Sequence, residues 1–324
     1  HGHETGVCPR LMSLAAAPLY TDISPAPLVG AAYWTHAKDG VRLRLGVFRP
    51  ENAKGTILVF PGRTEYVEKY APAAGEFAKR GFATAVIDWR GQGLADRLLD
   101  DFRVGHVGVF ADYQKDVDAM VAAAHALNLP KPFFVQGHSM GGCIGLRSLY
   151  EGLDVAAASF TAPMWGIRIA PHLRPVAWAL GTVMPVLGQG HRLPPGRVHE
   201  SYVLFAPFDD NLLTTDADMY EMMRAQLRAH PELELGGPSF VWLREALAET
   251  LALSRMPAPP VQADAFLGTR ERIVHVGRIE ARMRNWPGGD LHLIEGGEHE
   301  VLMETPQART MILDRIAERF SAAA

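Results

Sequence analysis

Cysteine is almost absent from this chain of 324 residues, which has only Cys8 and Cys143. Two cysteines cannot build a disulfide framework, and they provide no metal-ligand spacing, so neither a stapled scaffold nor a cysteine-held metal is expected. Cys143 stands in an apolar stretch and reads as a small core residue. Such sparse usage fits a reducing compartment, and a cytoplasmic setting is the expectation. Neither sign of charge dominates. The 32 Lys and Arg are interspersed with 36 Asp and Glu, for a formal net charge of −4. A nucleic-acid partner would require a concentrated basic face, so none is expected. Long apolar runs are missing too. No window reaches the roughly 18 residues that a membrane-spanning helix needs, and the stretch from Leu11 to Leu19 is too short. His1 to Gly6 reads as an artificial leader and is set aside from fold reasoning. There is no internal repeat and no low-complexity tract.

What is present is a rhythm. Ala31–His36 and Val41–Phe48 read as an antiparallel pair turning near Asp39-Gly40. Thr56–Phe60 is a short, wholly apolar run, as in a strand buried on both faces. A helix is expected over Tyr66–Arg80, a strand over Ala83–Asp88, and an amphipathic helix over Asp112–Leu127. Strand Pro132–Gln136, helix Ser139–Glu151 and strand Val155–Thr161 follow. This alternation implies a mostly parallel central sheet with helices on both faces, an α/β fold. From Pro163 to about Leu247 the alternation stops, and helical pieces, prolines and large apolar residues take over. It then resumes with strand Pro260–Leu267, helix Val274–Asn285, strand Asp290–Ile294 and helix Thr305–Ala322. The expected organisation is one sheet domain, 1–162 and 248–324, interrupted after its sixth strand by a mainly helical cap, 163–247. An insertion of roughly 80 residues is large enough to form a subdomain.

The chemistry lies at the junctions. Gly137-His138-Ser139-Met140-Gly141 is a G-x-S-x-G motif, which composition alone would produce in roughly one such chain in ten. Its context is more telling, because it directly follows an expected buried strand and directly precedes an expected helix, as a nucleophile elbow must. Ser139 is therefore the candidate nucleophile, against the alternative of a passive serine in a glycine-rich turn. The loop Phe60-Pro61-Gly62-Arg63 follows an early strand. There Gly62 lets the chain bend, so that the backbone N–H of Arg63, with that of Met140, would form a two-donor oxyanion hole. In this fold the chain order is Ser, then acid, then His. Among 13 histidines, His299 occupies the loop after the last strand, where Gly296-Gly297 gives it freedom to reach the serine. His292 lies within a strand, and His138 is better placed for packing. Glu271, after the strand ending near Gly268, is the candidate acid; Asp264 competes but sits inside the strand run. A carboxylate there would hold the histidine tautomer and stabilise the imidazolium. No metal and no organic cofactor is called for.

Taken together, Pro61-Gly62-Arg63-Thr64-Glu65-Tyr66, Asp88-Trp89-Arg90-Gly91-Gln92-Gly93, Gly137-His138-Ser139-Met140-Gly141-Gly142 and Gly297-Glu298-His299-Glu300 resemble the lysophospholipase L2 and monoacylglycerol lipase branch of the α/β-hydrolase fold. The resemblance runs from about residue 30 to 320. It includes Asn211-Leu212-Leu213-Thr214 and Gly236-Gly237-Pro238-Ser239-Phe240-Val241-Trp242 in the cap. It implies Ser139 as nucleophile, His299 as base, and donors at Met140 and Arg63. It also implies that the Asp88–Gly93 turn is structural. The acid departs from the pattern, since the branch usually has Asp where this chain has Glu271.

The resemblance and the apolar cap together imply a single-chain lipid ester as substrate, either a lysophospholipid or a monoacylglycerol. Met164 and Trp165 are expected to line an acyl pocket. Arg63 and Arg97 are expected to meet a phosphate headgroup, unless they are spent on salt bridges to Glu65 or Asp96. Transient contact of the cap with a membrane surface is a further expectation; oligomeric state is not legible. The rival readings are an esterase or thioesterase for a small soluble substrate on the same fold, and a non-catalytic binding protein that retains it.

Overall fold

The computed structural model describes residues 14–23 and 30–324. The leader His1–Gly6, Cys8 and the first part of the Leu11–Leu19 stretch lie outside the described residues. Among the described residues, nine strands form a single sheet in the order β1-β2-β3-β5-β4-β6-β7-β8-β9. The strands are β1 Ala16–Ala17, β2 Gly30–His36, β3 Arg42–Phe48, β4 Thr56–Phe60, β5 Ala83–Asp88, β6 Phe133–His138, β7 Ala157–Thr161, β8 Ala263–Gly268 and β9 Gly289–Ile294. β1, β2, β3 and β5 pair antiparallel. From β5 through β4, β6, β7, β8 and β9 the pairing is parallel. The mostly parallel sheet with flanking helices matches the expectation. The two-residue β1 was not foreseen, being too short to carry a periodic signal; with it counted, the sixth expected strand is β7.

β4 is buried at all five positions. Leu58 and Phe60 pack on the face covered by helices α2 (Asp112–Ala126) and α3 (Met140–Tyr150). Ile57 and Val59 pack on the opposite face, under α1 (Ala71–Lys79) and α9 (Pro306–Ala322). Alternation along a strand thus feeds two cores, and each fully buried aliphatic or aromatic side chain contributes roughly 1.5–3 kcal/mol. The single helix expected over Tyr66–Arg80 is instead a 3₁₀ turn, Val67–Tyr70, followed by α1. Pro72 lies in the first turn of α1, where a missing N–H costs nothing, so the α-helix starts there.

Between β7 and β8 the chain forms α4 (Arg174–Val186), α5 (Tyr202–Phe205), α6 (Ala217–Ala229) and α7 (Phe240–Ser254), with no strand. α7 continues through Leu247 to Ser254. α8 (Val276–Arg284) then covers the sheet between β8 and β9.

Beneath the site, Arg44 is fully buried. Its Nε donates to Asp88 Oδ2 at 2.7 Å, and its two terminal nitrogens donate to the Glu68 oxygens at 2.7 Å each. Asp88 also accepts the N–H groups of Val67 and Leu94. Losing one partner from such an array would leave the others as uncompensated buried charges, which costs about 3–5 kcal/mol. The Asp88–Gly93 turn is structural in a second way. Trp89 donates to the Pro61 carbonyl at 2.9 Å, and Gln92 donates to the carbonyls of Gly62 and Glu65 at 2.8 and 3.0 Å. The turn thereby pins the loop that carries Arg63.

Candidate active site

β6 ends at His138 and α3 begins at Met140, which leaves one residue for the reversal. Ser139 makes it at φ 48° and ψ −117°. Positive φ is unfavourable for a residue with a Cβ and persists only where its surroundings enforce it. The surroundings here are glycines. A Cβ on Gly141 would collide with the carbonyl of Phe60, and one on Gly142 would collide with Pro163. The close approach of α3 to the end of β4 therefore requires bare backbone at these positions. The Met164 N–H donates to the Ser139 carbonyl at 2.8 Å and ties the elbow to the chain after β7. Ser139 is half-buried and lines a cavity of about 360 Å³.

His299 lies on the loop after β9 and is buried. Its Nδ1 is 2.7 Å from Glu271 Oε2. Glu271 follows β8, and its other oxygen accepts the N–H groups of Ile273 and Val274 at 2.5 and 3.0 Å. Burial alone would raise the Glu271 carboxyl. The His299 ring and those two N–H groups outweigh burial and hold it below the usual carboxylate range. Nδ1 is thus turned toward a carboxylate acceptor, which leaves Nε2 as the nitrogen available for proton transfer. A Cβ on Gly268 would strike the backbone of Gly297 and Glu298, so the loops after β8 and β9 touch. The rival acid, Asp264, is committed elsewhere, to His292 at 3.3 Å and to Arg319 at 2.8 Å.

His299 shares the cavity wall with Ser139. Among the described residues the Ser139 hydroxyl has no hydrogen-bond partner, His299 included. Such contacts often tighten only when substrate is bound. Likewise, no acceptor among the described residues takes the N–H of Arg63 or of Met140. The site thus gathers a hydroxyl, an imidazole oriented by a carboxylate, and two uncommitted N–H donors, the set that acyl transfer requires.

Of the expected substrate contacts, Arg63 and Met164 line the cavity. Arg63 donates to the Gly236 carbonyl at 2.5 Å and lies 5.7 Å over the Trp242 ring. Burial, and then the charge of Arg197, push its guanidinium down to about 10, so it stays charged at neutral pH. Two expectations need correction. Arg97 does not line the cavity. Its guanidinium donates to four backbone carbonyls, those of Gly93, Phe102, Glu232 and Glu234, and fastens loops together. Neither suggested salt bridge forms either, since Glu65 pairs with Lys69 and Asp96 with Arg42. Trp165 is fully buried beside Phe160 and Trp286, and donates to the Gly142 carbonyl at 3.1 Å, supporting α3 from below.

The sequence reading missed Lys69 and Glu300, which line the cavity and meet at 2.7 Å. The signal available was charge inside a buried segment: Glu65, Glu68 and Lys69 interrupt an otherwise apolar stretch. The segment Asn211–Thr214, between β7 and β8, also holds the loop of His299. The carbonyls of Leu212 and Leu213 accept the N–H groups of His299 and Glu300 at 3.3 and 2.7 Å.

Fold and elbow together define an α/β hydrolase, a hydrolytic enzyme with its serine at a strand-to-helix turn. More narrowly, the chain belongs to the serine aminopeptidase S33 family, whose model matches residues 51–306. It is 30% identical over 300 residues to lysophospholipase L2 of Escherichia coli (strain K12), covering 87% of this chain and 85% of that one. It is 25% identical over 284 residues to monoacylglycerol lipase of Mycolicibacterium smegmatis, covering 86% and 92%. A soluble variant of the monoglyceride lipase of Saccharomyces cerevisiae, solved with a substrate analog, shares the fold with a TM-score of 0.68 at 18% identity, covering 90% of this chain and 94% of that one. The resemblance drawn from the motifs is borne out.

Glu271 reaches both His299 and two backbone N–H groups, and both ends should matter. Glu271→Gln should lower kcat on a 4-nitrophenyl acyl ester by about 10³–10⁴-fold, as loss of a triad carboxylate does elsewhere. Glu271→Asp should fall between that variant and the wild type. Wild-type kcat in Glu271→Gln would remove Glu271 from the reaction.

Proposed function

We propose that this chain hydrolyses carboxylic esters of single-chain lipids, lysophospholipids or monoacylglycerols, through an acyl-enzyme on Ser139. The observation that carries the reading is that an accessible Ser139, at a strained elbow, opens on the same cavity as His299, whose other nitrogen is held by Glu271. His299 takes the hydroxyl proton as Ser139 Oγ attacks the ester carbonyl. The N–H groups of Arg63 and Met140 receive the oxyanion, each contributing about 3 kcal/mol to the transition state. His299 then gives the proton to the departing glycerol oxygen. Water attacks the acyl-enzyme by the same route and frees the fatty acid.

The cavity wall supports the substrate class. Met164, Phe205, Leu213, Met223, Leu227 and Trp242 supply apolar surface for an acyl chain. The segment 163–247 acts as the cap that supplies most of it. Charge argues against an aminopeptidase substrate, whose ammonium needs an uncommitted carboxylate. Glu65 and Glu300 on the wall are already engaged, both by Lys69 and Glu300 also by His138. Arg63, Arg168 and Arg197 line the cavity and form no ion pair among the described residues, so unpaired positive charge exceeds negative on the wall even with Glu200 counted. Arginine suits a phosphate headgroup.

The cap also has a face suited to a lipid surface. Leu173, Val176, Val183, Val186 and Leu187 are exposed along α4, with Val186 83% and Leu187 64% accessible. Residues 155–199 contain four arginines and neither Asp nor Glu, in a chain whose net charge is −4. An apolar stripe flanked by cations fits an anionic interface. Among the described residues no helix is long and apolar enough to cross a membrane, so the contact would be peripheral.

Ser139→Ala should abolish turnover with an unchanged circular dichroism spectrum, and a fluorophosphonate probe should label the wild type alone; labelling that survives the substitution would refute the nucleophile. Arg197→Gln should lower the ratio of kcat/KM for lysophosphatidylglycerol over monoacylglycerol of equal chain length by about tenfold, within the range for a lost charged contact. An unchanged ratio would remove headgroup recognition from Arg197. The protein should sediment with phosphatidylglycerol vesicles at low salt, and Val186→Glu should weaken that binding. Equal binding by both proteins would exclude α4 as the contact.

A further inference from the structure

On the cavity wall beside Ser139 four charged side chains are largely buried: Glu65, Lys69, His138 and Glu300, each less than 10% exposed. Each comes from a functional loop or its support. Glu65 follows Arg63, Lys69 lies in the 3₁₀ turn, His138 precedes Ser139, and Glu300 follows His299. Lys69 Nζ bridges the carboxylates, at 2.6 Å from Glu65 and 2.7 Å from Glu300. The remaining Glu65 oxygen accepts the Gly62 N–H and the Tyr70 hydroxyl. A metal ion would fit the spacing of Glu65, His138 and Glu300, but the Lys69 ammonium already bridges those carboxylates.

The protonation of His138 follows from its neighbours. Nδ1 is 3.0 Å from both the Thr161 carbonyl and the Thr161 hydroxyl, and hydrogen on Nδ1 suits the carbonyl, which can only accept. Nε2 faces Glu300 Oε2 at 3.2 Å and Glu65 Oε1 at 3.6 Å, and a bare lone pair there would oppose two carboxylates. Neither contact is aligned as a hydrogen bond, but two carboxylates within 3.6 Å favour hydrogen on Nε2 and with it a cationic ring. The directions of shift agree. Burial would lower His138, but Glu300 and Glu65 outweigh it and raise it. Burial would raise Glu300, but His138 and Lys69 hold it well below its usual range. The quartet sums to zero, two anions against two cations, and its His138 ring lies 4.9 Å from the ring of His299.

We infer that this neutral quartet sets the protonation range of His299, and that Glu65, Lys69, His138 and Glu300 are positioning residues acting through it. The inference rests on His299 being the base. When His299 takes the serine proton it becomes cationic 4.9 Å from a fixed cation; the paired carboxylates make that tolerable. Outside the quartet, Glu271 meets the His299 ring and the Leu212 carbonyl accepts its backbone N–H, while Glu298, its neighbour in sequence, is paired with Arg272 at 3.1 Å. Removing a carboxylate leaves the quartet net positive, disfavours the His299 imidazolium, and moves the acidic limb of the pH profile down. Removing a cation moves it up.

The test is the pH dependence of fluorophosphonate labelling of the full chain between about pH 5 and 9, the range in which a histidine titrates. Glu300→Gln should shift the acidic limb down by about one unit, and His138→Gln and Lys69→Met should each shift it up by about one unit. The charge-balanced pair His138→Gln/Glu300→Gln should return it to the wild-type position, and offers a second route if a single variant fails to fold. Slower labelling with an unmoved limb, or shifts of one sign in all variants, would reduce the quartet to a structural clamp and overturn the inference. A wild-type protein that never labels would overturn the hydrolase reading itself, a different result.

Discussion

The fit of bare backbone at Gly141 against the carbonyl of Phe60 is the contact on which the site depends. It brings the start of α3 against the end of β4 and forces Ser139 into a left-handed turn between β6 and α3. The same approach places the loop carrying Arg63 beside the N-terminus of α3. Any side chain at Gly141 would part these two elements, and with them the serine and one of the two N–H donors. Strain at one serine is the cost, and two hydrophobic cores on either side of a buried strand sustain it.

Around that contact the chain keeps its charges buried but paired. Arg44, Asp88 and Glu68 lock the sheet edge, and Trp89 and Gln92 carry that rigidity to the loop of Gly62. Glu271 is held by two backbone N–H groups before it meets His299. In a site of low polarity each unpaired charge would be expensive and each paired one is directional. One Glu271 oxygen thus meets the His299 ring while the other is occupied by the N–H groups of Ile273 and Val274.

The cap adds a different physical asymmetry. The chain as a whole is slightly acidic, yet the first half of the inserted segment is basic and its helix α4 turns apolar residues outward. Arg168 and Arg197 line the cavity, while Leu212 and Leu213 hold the loop of His299 through their carbonyls. The inserted segment thus contributes both to the cavity wall beside Ser139 and to the placement of His299.

Much of this was legible in the residues. β4 and β5 fall where apolar runs of Thr56–Phe60 and Ala83–Asp88 place them, because a doubly buried strand has no polar position to blur its ends. The elbow was legible because its glycines have a local steric cause, and Glu271 and His299 because chain order in this fold leaves each one suitable loop. What stayed hidden depended on side-chain direction across distant segments. Arg97 and Arg63 look alike in sequence, yet one spends its guanidinium on four carbonyls and the other faces the cavity. Trp165 is as apolar as any pocket residue and lies beneath α3 instead. The pairing of Lys69 with Glu300 spans 231 positions. Local pattern determined the elements, the elbow and the order of the reacting groups, because those follow from backbone sterics and periodic burial. Only the tertiary structure decided which buried charges neutralise one another and which arginines stay free, because that depends on where long side chains end in space.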